Sequence, residues 1–166
     1  MIAFRLASCE SDAAGIGAGA RPGRYRLAAN EADSAFVGSG ERTAVLIVED
    51  DYIVASELRN ALDDAGFEVV GVADSADQAV DLARSTRPAL AVVDIRLFGR
   101  RDGVDAAVEM VRTLDVRSIF ATAHNDPATR ARGQAANPLG WLRKPYTMEA
   151  AVAAVKAALA ELRKPS

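Results

Sequence analysis

Ala44-Val-Leu-Ile-Val48, followed at once by Glu49-Asp50-Asp51, decides how the rest of the chain reads. The run is five residues long, rich in β-branched side chains and free of polar alternation. It is therefore expected to be a strand buried on both faces. Downstream, Val54, Leu58 and Leu62 recur at four-residue spacing, one stripe of a helix that Gly66 closes as a C-terminal cap. Phe67 to Ala73 reads as a second strand. Ser75-Ala-Asp-Gln78 reads as a capping box opening a second helix, which stops before Pro88. Ala89 to Val93 is a third strand that ends at Asp94, and Val104, Val108, Val111 and Leu114 mark a third helix. Val116 to Ala121 is a fourth strand. Asp126-Pro127 is an N-cap with proline in the first helical position, opening a short, weakly apolar helix to Ala136. Leu139 to Leu142 is a brief fifth strand, and Thr147 caps a last helix with Val152, Val155, Leu159 and Leu162 turned inward.

Five strands, each followed by a helix, predict an α/β chain: a doubly wound, five-stranded parallel sheet with helices on both faces. Right-handed crossovers leave few topologies, of which strand order 2-1-3-4-5 leads. In such sheets, ligands bind at the carboxyl ends of the strands near the switch point beside strand 1. Strand 1 ends there in Glu49, Asp50 and Asp51, strand 3 in Asp94, strand 4 in Thr122 and strand 5 in Arg143-Lys144-Pro145. Asp51 is expected to cap the first helix. The remaining carboxylates repel one another and raise each other's pKa unless a cation intervenes. Mg²⁺ suits one or two carboxylates supplemented by waters and phosphate oxygens. Thr122 can donate to a phosphoryl oxygen, and Lys144 can neutralise another as a point charge. Lys144 is one of only three lysines against seventeen arginines, so a compact ammonium is expected to be required at that strand end. An Asp carboxylate between Mg²⁺, a hydroxyl and an ammonium is a setting for acyl phosphate chemistry, with Asp94 as nucleophile.

Composition bounds the rest. The 166 residues are 50% hydrophobic and 26% charged, which suits a folded globular chain and not a disordered one. No run approaches the roughly 18 apolar residues of a membrane span, so no membrane insertion is expected. A net charge of −3 argues against nucleic acid as a partner. The single cysteine, Cys9, excludes an internal disulfide and a multi-cysteine metal site, and a cytoplasmic location is expected. Leu6-Ala7-Ser8-Cys9 resembles a lipoprotein cleavage motif, but Arg5 interrupts the short apolar stretch before it. Residues 1–42 hold six of the twelve glycines and no sustained apolar period, so they are expected to form a flexible, weakly structured extension before a domain over 43–166.

Val45-Leu-Ile-Val-Glu-Asp-Asp51, Val92-Val-Asp-Ile95, Phe120-Ala-Thr-Ala123 and Lys144-Pro145 resemble the signature blocks of a response-regulator receiver domain from two-component signalling. The likeness runs over residues 43–164, with 44 positions from Asp50 to Asp94, 28 more to Thr122 and 22 more to Lys144. It implies a flavodoxin-like receiver fold and a phosphoacceptor protein, not an enzyme beyond its own phosphorylation and dephosphorylation. It further implies Asp94 as phosphoacceptor, and Mg²⁺ held by Asp50, by Glu49 mostly through water, by Asp94 and by the backbone carbonyl of Arg96. Thr122 would be the switch hydroxyl, Lys144 the phosphoryl contact and Trp141 the rotating aromatic. Arg96 and His124 would tune phosphoryl lifetime, and Pro145 would follow a cis bond.

The partners implied are a sensor histidine kinase or a histidine phosphotransfer protein, and a downstream protein target. A homodimer through helix 4, strand 5 and helix 5 is left open. Gly99-Arg-Arg-Asp-Gly103 is read as a loop whose two arginines steer a phosphate donor. Because only four residues follow Leu162 and the first 42 are glycine-rich, a stand-alone receiver acting through a partner is expected. The rivals are a phosphorylation-independent interaction module and a small phosphatase with an aspartyl nucleophile. Arg96 counts against the phosphatase, because it stands where such enzymes place a second acid.

Overall fold

The computed structural model describes residues 42–123 and 127–164. The expected extension up to residue 41, His124 and the Asp126 cap lie outside the described residues. Five strands and five helices alternate without exception: β1 (Ala44–Val48), α1 (Tyr52–Asp64), β2 (Glu68–Ala73), α2 (Ala76–Thr86), β3 (Leu90–Asp94), α3 (Gly103–Leu114), β4 (Ser118–Thr122), α4 (Pro127–Gln134), β5 (Gly140–Arg143) and α5 (Met148–Leu162). All pairings are parallel and the order is β2-β1-β3-β4-β5, as the alternation of strands and helices predicts.

The unbroken apolar strands have a direct cause. Leu46, Val48, Ala91, Val93 and Phe120 point to one face of the sheet, where α2 and α3 cover them with Ala79, Val80, Ala83, Ala107 and Met110. Val45, Ile47, Leu90, Val92 and Ile119 point to the other, under α1 and α5 with Leu58, Leu62, Val155 and Leu159. With both faces buried, period-2 alternation has no polar side to show.

Several local expectations shift. Ala65 is the C-cap of α1 and Gly66 lies one residue beyond, at φ 91°. The box at α2 is half formed. Ser75 is the N-cap but its side chain makes no capping bond, while the Gln78 carbonyl oxygen accepts from the Asp74 N–H at 2.8 Å, one residue early. A complete box forms instead at α3, where Asp102 accepts from the Asp105 N–H and Asp105 accepts from the Asp102 N–H. Leu162, expected inward, is 39% exposed and lies at the last position of α5. Ala151 and Ala158 take buried places beside Val155 and Leu159. Among the described residues no helix is long and apolar enough to cross a membrane.

Candidate phosphoacceptor and metal site

The carboxyl ends of β1, β3 and β5 deliver their polar residues to one spot because their apolar runs stop at the same height. Val48 pairs with Val93, so Glu49 and Asp94 follow side by side. Asp94 pairs with Ala121, which leaves Thr122 one step further along β4. Thr122 pairs with Arg143, so Lys144 emerges just past it, and its N–H donates to the Thr122 carbonyl at 2.8 Å. The Lys144–Pro145 bond is cis.

At this point Lys144 Nζ donates to Glu49 Oε2 at 2.7 Å and to Asp94 Oδ2 at 2.6 Å. The Arg96 N–H donates to Asp94 Oδ1 at 3.1 Å, so both oxygens of Asp94 are held. Glu49, Asp94 and Thr122 are buried. Burial pushes the Glu49 carboxyl above the usual carboxylate range; its bond to Lys144 opposes the shift and the Asp94 charge adds to it. Burial works against the Lys144 ammonium, but its bonds to Asp94 and Glu49 outweigh that and raise its pKa. Asp51 stands apart as expected: it caps α1, accepting from the N–H groups of Ile53 and Val54.

Glu49, Asp50 and Asp94 each offer a carboxylate oxygen, all within 4.8 Å of one another. One ammonium cannot balance three ionised carboxylates. The surplus negative charge and the all-oxygen donor set fit a hard divalent cation such as Mg²⁺. Glu49, Asp50, Asp94 and Lys144 are thus brought together, with Thr122 on the neighbouring strand end. The Arg96 side chain is exposed.

Trp141 is not at the carboxylates. It lies half-buried on β5 against Phe120, with ring centroids 4.9 Å apart, and the Arg130 guanidinium of α4 sits 5.0 Å above its ring. Of the two loop arginines, Arg101 is engaged by Asp77 of α2 and Glu109 of α3. Two features escaped the sequence. Gly103 packs so closely on β3 that a Cβ there would lie 1.8 Å from the Asp94 carbonyl oxygen. Tyr146 buries a hydroxyl that finds no hydrogen-bond partner among the described residues. Periodicity signals neither.

This sheet order, with acids at β1 and β3 and a lysine after β5, is that of a receiver. The chain belongs to the response regulator receiver domain family, whose model matches residues 45–156. It is similar to the transcriptional regulatory protein PdtaR of Mycobacterium tuberculosis, 31% identical over 72% of this chain and 58% of that protein. It also resembles the phyllosphere-induced regulator PhyR of Methylorubrum extorquens, 34% identical over 63% of this chain and 39% of that protein. The chain therefore spans little more than half of these relatives at most. Among solved structures, the receiver domain of a modulated diguanylate cyclase from Desulfovibrio desulfuricans superposes with a TM-score of 0.68 at 36% identity, covering 73% of this chain and 96% of that one. Relatives of this kind support response regulator function in two-component signalling.

Proposed function

We propose that the domain accepts a phosphoryl group on Asp94 from a sensor histidine kinase or a histidine phosphotransfer protein and signals through contacts with a downstream protein. The observation that carries this reading is the convergence of Lys144 on Asp94 and Glu49 within hydrogen-bond distance, with Asp50 beside them. Glu49, Asp50, Asp94 and the Arg96 backbone carbonyl would hold Mg²⁺. Bound there, Mg²⁺ would neutralise charge on the phosphoryl group as it transfers.

The chain's own residues do the positioning. The Arg96 N–H and the Lys144 ammonium fix the Asp94 carboxylate from its two ends. One Asp94 oxygen then bonds to phosphorus as the donor's phosphorus–nitrogen bond breaks and the imidazole leaves. Lys144 pairs with one phosphoryl oxygen and Thr122 donates its hydroxyl to another. Drawing Thr122 toward the phosphoryl group shifts the population of two arrangements around α4, β5 and α5, with Trp141 on that face. Arg96 and His124, each two positions past a site residue, tune how long the acyl phosphate survives.

Intact-mass analysis after acetyl phosphate treatment tests the assignment. Wild type should gain one phosphoryl group only with Mg²⁺, and Asp94→Asn should gain none. A gain that persists in Asp94→Asn overturns the assignment. No gain in wild type, together with a flat Mg²⁺ titration of Trp141 fluorescence, favours a phosphorylation-independent interaction module.

A further inference from the structure

The α4 helix is thinly anchored by apolar burial. Its eight residues, PATRARGQ, bury only Gly133, so apolar packing holds it weakly. Contacts on two sides hold it. On one side it rests on Trp141: a Cβ at Gly133 would lie 2.6 Å from the indole Cη2, and Arg130 covers the ring from the same helix. On the other side Arg132 forms a two-pronged pair with Asp102, at 2.9 and 3.1 Å, and reaches Asp105 at 3.3 Å.

Those two acids are the capping box of α3. The next residue, Gly103, donates its N–H to the Ile95 carbonyl at 2.9 Å and leaves no room for a side chain against the Asp94 carbonyl oxygen. An unbroken series of contacts therefore runs from the backbone of Asp94, through Gly103 and Asp102, to Arg132, α4 and Trp141. It passes outside Thr122.

We propose that Arg132 is a latch that ties α4 to the end of the β3–α3 loop, so that the seating of α4 on Trp141 and the geometry of the Asp94 loop stabilise each other. The carboxylates it grips already bond backbone N–H groups of α3, so the guanidinium meets a rigid, pre-oriented partner, the situation in which an exposed pair contributes most. The pair is solvent-exposed, with about half of the Arg132 side chain accessible, so salt weakens it. Coupling is reciprocal: if the loop steadies α4 through Arg132, Arg132 steadies the loop.

Amide hydrogen exchange on wild type and Arg132→Gln, without metal or phosphoryl donor, tests this independently of any role for Asp94. In Arg132→Gln the α4 amides should exchange about fivefold faster, and the Gly103 amide should speed up with them. Raising the salt concentration should move wild type toward the variant and leave the variant unchanged. Unchanged α4 exchange, or salt dependence equal in both proteins, overturns the latch. Faster α4 exchange with an unmoved Gly103 amide overturns the coupling. Arg132→Lys keeps the charge but not the fork, and should fall between the two. A value at or beyond that of Arg132→Gln would also count against the latch.

Discussion

Tyr146 follows the cis proline and places its ring in the apolar layer between the sheet, α1 and α5, yet its hydroxyl has no partner there. A buried, unpaired hydroxyl costs about 1 kcal/mol or more. Tyr146→Phe should therefore stabilise the fold by about 1 kcal/mol in urea unfolding, and a loss of stability would show that the hydroxyl is paired in solution. Burial also raises this phenol above the ordinary 10.0; the nearby Lys144 charge opposes the shift, and the charges of Glu49 and Asp94 add to it. An acid with a raised folded pKa keeps its proton in the native state while the unfolded chain releases it. Stability consequently falls as pH rises above 10.0, through the window up to the folded value. Tyr146→Phe removes that contribution, so its unfolding free energy should decline less between pH 9 and pH 11 than wild type's; equal slopes would contradict the burial argument.

The helices differ in what holds them, and the differences follow from their starts. Among the described residues, three side chains cap helix starts: Asp51 for α1, Asp102 for α3 and Thr147 for α5, whose hydroxyl accepts from the Ala150 N–H at 3.2 Å. Thr147→Ala should cost about 1 kcal/mol, read as a lower urea midpoint at unchanged slope. A change below about 0.3 kcal/mol would mean that packing of Val155 and Leu159 alone holds α5. Helices α1, α3 and α5 were legible from apolar spacing and α2 and α4 from their start signals, and the boundaries came within a few residues. The half-formed box at Ser75 was not legible, because Ser75 and Gln78 have the right identities and only the backbone path decides which N–H Gln78 meets. Nor was the anchoring of α4, since its contacts come from residues 102, 105 and 141, on other elements.

Taken as a whole, the molecule keeps a cluster of like charges at one end of an otherwise apolar sheet. Such a site is a liability to the apo fold that ligand binding can offset. If Glu49, Asp50 and Asp94 hold Mg²⁺, the melting temperature should rise with Mg²⁺ concentration, by an increment equivalent to about 2.7 kcal/mol at a hundredfold excess over Kd. Asp50→Asn should abolish that increment while leaving metal-free stability unchanged or slightly raised, through relief of repulsion. An increment that survives Asp50→Asn would remove Asp50 from the ligand set.

By itself the sequence determined the sheet, its order and the acids at its rim, because those depend on local signals: uninterrupted apolar runs, caps, and the rule that strand ends gather ligands. Glu49, Asp50, Asp94, Thr122 and Lys144 were legible for the same reason, each being the first polar residue or two after an apolar run. Tertiary structure alone decided which charges meet: that Lys144 bridges Glu49 and Asp94, that Arg101 is spent on Asp77 and Glu109, and that Arg132 grips the start of α3. A long cationic side chain reaches any of several acids, and periodicity carries no information about which. Only the folded backbone, by bringing residues 8 to 95 positions apart within 3 Å, makes that choice.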